Sequence, residues 1–74
     1  MKITIVIHRQ NEKVVNVTKY VDDSDIYETT YNTLIEHGID NKIAIDCASW
    51  CETADYEDSY NMEDFDVYTD TDLW

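Results

Sequence analysis

The chain has no proline and a single glycine, Gly38, among 74 residues. A glycine-rich phosphate loop and the sharp elbow that presents a nucleophilic serine both depend on glycines the chain does not have, so neither is present. The lack of proline, with no low-complexity stretch and no repeat at a fixed period, excludes a proline-rich linker and a solenoid. No run approaches the roughly 20 apolar residues of a membrane span. The first residues lack the basic-then-apolar pattern of a signal segment, so the chain reads as cytosolic. Asn16-Val17-Thr18 matches a glycosylation acceptor, a site that requires secretion. Bases are scarce, with five Lys and Arg against 17 Asp and Glu, a formal charge of −12. That balance repels nucleic acid and anionic membranes as direct ligands.

A chain of this size forms one domain, 1–74, with one modest core. It buries only about 60% of the surface its unfolded state exposes, leaving a net stability of a few kcal/mol. A catalytic cleft built from several layers does not fit in it. Hydrophobic content of 43% is ordinary for a globular domain, whereas the charge is far outside the magnitude of about 2 to 8 that suffices for solubility. The charge is also segregated. Lys2, Arg9, Lys13 and Lys19 against Glu12 give the first 19 residues a net of +3, and from Tyr20 onward sixteen acids face the single base Lys42, a net of −15. Holding so many like charges together opposes the compact state and speeds association with cationic partners.

Alternation predicts a β-hairpin over 1–21, with Ile3, Ile5 and Ile7 on one side, a polar turn at Gln10–Lys13, and Val15, Val17 and Val21 in the returning strand. A helix is expected over 23–38. Asp22, Asp23 and Ser24 are candidate N-caps, and Tyr27, Tyr31, Leu34 and Ile35 recur at helical spacing. Acids favour its positive end, and Gly38 stands where a left-handed C-cap belongs. Ile43, Ile45 and Cys47 alternate and predict a strand over 42–47. Residues 50–74 form an acidic, aromatic-rich segment expected to be ordered, because large rings favour burial. Within it, Phe65 and Val67 alternate against Asp64, Asp66 and Tyr68 as a further strand would. A short helix opened by a Ser49–Glu52 capping box and running to about Asn61 stays open. The expected class is α+β, a small antiparallel sheet of three to four strands in ββαβ order with a final strand, packed on one helix.

Cys47 and Cys51 are four residues apart, with His8 and His37 the only other soft ligands, which is not a four-ligand zinc pattern. They read as small buried hydrophobes, with a disulfide open only if the stretch is a turn or helix. Asp64, Asp66, Asp70 and Asp72 supply acids without the glycine an EF-hand loop needs. No metal or other cofactor is expected. Carboxylates are everywhere, but general acid–base work needs two whose pKa values are pushed apart in a water-poor pocket. With no serine, histidine and aspartate set, the chain reads as non-enzymatic.

The acidic face itself is the remaining candidate. Its residues are Asp22, Asp23, Asp25, Glu28, Asp55, Tyr56, Glu57, Asp58, Tyr60, Glu63, Asp64, Asp66, Asp70 and Asp72. Were Asp55 to Asp72 helical, its eight acids would stand about 3.4 Å apart, the phosphate spacing of one DNA strand. Extended, they would fall to about one per 7 Å, and a second row from the acids before and within the first helix would be needed. Tyr56, Tyr60, Tyr68 and Trp74 sit among the carboxylates and offer rigid surfaces for guanidinium groups. Phe65 is expected inside and at least two tyrosines outside.

In size, in net charge and in runs such as "DYEDSY" and "MEDFD", the chain resembles the small acidic inhibitors of phages and mobile elements, the DNA mimics among anti-CRISPR and anti-restriction proteins. The resemblance covers about the C-terminal third and matches no motif residue by residue. It implies a protein that occupies the basic nucleic-acid groove of a nuclease or CRISPR effector in a bacterial host cell, without binding nucleic acid or membrane itself. The alternatives are an interaction module using its aromatic surface or sheet edge, and a cation-binding protein.

Overall fold

The computed structural model describes residues 1–54 and 58–70. Strand β1, Lys2–Ile7, and strand β2, Val15–Tyr20, form the expected antiparallel hairpin, with Ile5 opposite Val17. Ile3, Ile5 and Ile7 are buried while Lys2, Thr4 and Val6 remain partly open, the mark of one covered face. At the turn, Asn11 adopts φ 65°, a left-handed conformation asparagine tolerates better than most residues.

A 3₁₀ turn at Asp23–Asp25 leads into helix α1, Ile26–Glu36. The helix ends as its glycine requires. Gly38 has φ +80°, its N–H donates to Ile35 O at 3.0 Å, and the Ile39 N–H reaches back to Leu34 O at 3.0 Å. This is a Schellman closure, with buried Ile39 and Leu34 supplying its hydrophobic partner.

The stretch expected as a strand over 42–47 is instead the start of helix α2, Asn41–Thr53. Asp40 caps it, its carboxylate accepting from Lys42 N at 3.0 Å. Ile43 and Ile45 mimic strand alternation, yet the buried residues are Ala44, Cys47, Ala48 and Cys51, a helical stripe of small side chains. Ile45 faces solvent, and Ser49 and Glu52 lie inside this helix instead of opening another.

The third strand, β3, is Asp58–Asn61, and β4 is Phe65–Asp70; a Met62 N–H to Phe65 O bond of 2.8 Å closes their turn. The four antiparallel strands lie in the order β2-β1-β4-β3. The fold is α+β, as expected. The core joins Ile3, Ile5, Phe65 and Val67 from the sheet to Ile26 and Leu34 of α1 and Cys47 and Cys51 of α2, so it draws on two helices where the pattern suggested one. Phe65 is fully buried.

Candidate functional site

Register assigns the acids to two ends of the sheet. At one end Ile7 lies opposite Phe65, and the turns there carry His8, Arg9, Glu63 and Asp64. At the other end Lys2 lies between Tyr20 of β2 and Asp70 of β4, and β3 begins at Asp58 beside Thr69. Val21 is tied to Met1 there by reciprocal bonds of 2.9 Å, so Asp22, Asp23 and Asp25 leave the sheet at this same end. Glu28 follows in the first turn of α1.

At the first end two of the acids have nitrogen partners within the chain. His8 Nε2 lies 3.0 Å from Asp66 Oδ2, and Arg9 Nε lies 3.5 Å from Asp64 Oδ2. His8, Arg9 and Asp64 border a cleft of about 520 Å³ also lined by Ile43 and Met62. Among the acids expected to meet a partner, Asp64 therefore already has the Arg9 guanidinium and Asp66 the His8 ring as neighbours, while Glu63 is exposed.

The second end forms a rim contributed by three separate stretches of chain: the exit from β2, the last residue of β4 and the first of β3. Four strands about 4.8 Å apart span about 14 Å, so Asp22, Asp23, Asp25, Asp58 and Asp70 give about one acid per 3 Å of rim by chain position. The chain from 58 to 70 is a hairpin and not a helix, so single-helix phosphate spacing does not apply to it. Density at the rim comes from bringing rows together. Asp55, Tyr56, Glu57 and Asp72 lie outside the described residues, as does Trp74.

The aromatics divide. Tyr60 is half-buried: its ring lies 5.6 Å from Trp50 and 6.2 Å from Phe65 between centroids, and its hydroxyl donates to Asp46 Oδ2 at 2.6 Å. Burial first, and then the Asp46 carboxylate, push its pKa above the ordinary tyrosine value. Tyr68 and Tyr20 are outside, 44% and 72% exposed, and pairing sets both on the sheet face opposite the helices. Sequence reasoning missed Tyr20, whose place in the alternation opposite Val17 and Val21 was the available signal. On α1, Tyr27 and Tyr31 stack at 6.2 Å along a partly covered flank, and the buried positions are Ile26, Thr30, Thr33 and Leu34.

Cys47 and Cys51 are free, wholly buried thiols one helical turn apart. The Cys47 thiol donates to Cys51; that bond, and then burial, raise the Cys47 pKa, while the same bond lowers that of Cys51 against the opposing effect of burial. Thr30 Oγ1, also buried, makes no well-formed hydrogen bond. Among the described residues no group of three His, Cys, Asp or Glu is arranged to hold a metal ion, and no helix is long and apolar enough to cross a membrane. Comparison with protein-family models, with curated proteins and with solved structures returns no match.

Proposed function

We propose that the protein is a non-enzymatic inhibitor that mimics DNA, its acidic rim occupying the basic groove of a nucleic-acid-binding defence protein of CRISPR or restriction type in a bacterial cytoplasm. The observation that carries this reading is the convergence of Asp22, Asp23 and Asp25 with the ends of β3 and β4 at one edge of the sheet. By chain position, acids from distant stretches of sequence come to this end of the sheet at about one per 3 Å of its width, close to the roughly 3.4 Å per phosphate of one DNA strand. Lysines and arginines that neutralise phosphates would meet carboxylates at comparable spacing, and a net charge of −12 steers the encounter.

Expression in bacteria carrying an active CRISPR or restriction system tests this directly. Targeted phage should regain plating efficiency, and a variant with Asp22, Asp23 and Asp25 changed to Asn should lose that protection while remaining folded. Unchanged plating against both kinds of system counts against the reading.

The exposed Tyr20 and Tyr68 favour a second reading, a module that docks through the open face of the sheet. In that case alanine at Tyr20 or Tyr68 weakens partner binding more than neutralising any two acids.

A further inference from the structure

Strand β2 is an edge whose two faces are both largely uncovered. Register sets Val15, Val17 and Lys19 on the helix side with Ile3, Ile5 and Ile7. The isoleucines are buried, yet Val15 is 38% exposed, Lys19 is exposed and Val17 is only partly covered, so β2 overhangs the helix layer. Among the described residues nothing pairs with its outer backbone either. Met1 and Val21 exchange both hydrogen bonds, and alternation along the ladder then makes Ile3–Lys19, Ile5–Val17 and Ile7–Val15 the hydrogen-bonded pairs. The N–H and C=O groups of Asn16, Thr18 and Tyr20 therefore point away from the sheet. Such an edge, with no proline and no bulge to blunt it, is a template for another strand.

We infer that β2 pairs with β2 of a second copy, antiparallel about Thr18, to form a two-fold dimer with a continuous eight-stranded sheet. This register is the one in which all three outward residues find mates: Asn16 with Tyr20 of the second copy, Thr18 with itself, and Tyr20 with Asn16. Pairs keep their faces, so Val15 meets Val21 and the Lys19 stem lies over Val17 on the helix side. Charge selects the second copy as occupant. The basic head of β2 at Lys13 is brought to the Asp22–Asp23 exit of the other chain, twice by symmetry. The strongly acidic start of β3 lies at the far edge of the sheet and the end of β4 one strand in from it, both away from the junction. The dimer shares Asp22 and Asp23 with the proposed rim, but its readout, the mass in solution, does not depend on DNA mimicry.

Light scattering on the purified protein tests it. The mass should rise with concentration from 8.7 kDa toward twice that value and stop there. Thr18→Pro removes the N–H on the axis and should leave a monomer with an unchanged circular dichroism spectrum. Lys13→Glu, which leaves the strands intact, should weaken the dimer roughly tenfold, and adding Asp22→Lys should restore it. Thr18→Cys should give a disulfide-linked dimer on mild oxidation, since paired Cα atoms about 5.5 Å apart lie within disulfide reach. A monomer at every concentration, open-ended oligomers, or a dimer that survives in folded Thr18→Pro overturns the inference.

Discussion

The Tyr60 hydroxyl donates to Asp46 Oδ2 at 2.6 Å and ties the edge strand β3 to helix α2. A tyrosine expected at the interface, and one of the chain's many acids, thereby serve the fold. Tyr60→Phe keeps the ring against Trp50 and Phe65 and should cost about 1 kcal/mol, a drop of about 4–8 °C in Tm for a chain of this size.

The same pair sets an alkaline limit. Because the folded state raises the Tyr60 pKa, it holds that proton more tightly than the unfolded chain does. The contribution is complete below the ordinary tyrosine value of about 10 and is lost as pH rises through the higher folded value. In urea titrations the gap between wild type and Tyr60→Phe should be constant from neutral pH to about 10 and narrow above it. A gap that widens there contradicts the assignment.

Thr30 offers a gain. Its buried hydroxyl lacks a well-formed partner beside Cys51. Thr30→Val replaces it with a methyl of similar size and should stabilise the protein by about 1 kcal/mol. A fall in Tm would mean that the hydroxyl bonds the Cys51 sulfur to good effect.

Gly38 offers the opposite. At φ +80° any other residue is strained, and a Cβ would sit 3.4 Å from the Arg9 guanidinium. Gly38→Ala should cost about 1–2 kcal/mol in thermal unfolding. If the cost is purely local strain, Arg9→Ala will not relieve it.

Crowding of acids has its own signature. Like charges at the rim are screened by salt over a Debye length of about 8–10 Å. Tm near neutral pH should therefore rise with added sodium chloride, and rise less in the variant carrying Asn at 22, 23 and 25. A Tm indifferent to salt contradicts the crowding.

Much of this architecture was legible in the residues. The isoleucines at 3, 5 and 7 announce a half-buried strand, Gly38 announces a helix end, and Phe65 with Val67 announces β4. The stretch from Lys42 misled because Ile43 and Ile45 alternate like a strand. The face that decides its structure is made of Ala44, Cys47, Ala48 and Cys51, whose small side chains carry a weak hydrophobic signal but allow helices to approach closely. On α1 the buried threonines Thr30 and Thr33 hid the true inner face behind Tyr27 and Tyr31. The acidic composition was plain from the start; its distribution between the two ends of the sheet was not, because that depends on which strands lie side by side.

DNA mimicry itself is tested most directly by capturing partners from bacterial lysate on the tagged protein, with parallel low- and high-salt washes and duplex DNA as competitor. Nucleic-acid-binding proteins that both salt and DNA displace are the expected catch, and the variant carrying Asn at 22, 23 and 25 should fail to hold them. A partner that survives high salt and ignores DNA contradicts mimicry and shifts the site to the tyrosine-bearing face of the sheet.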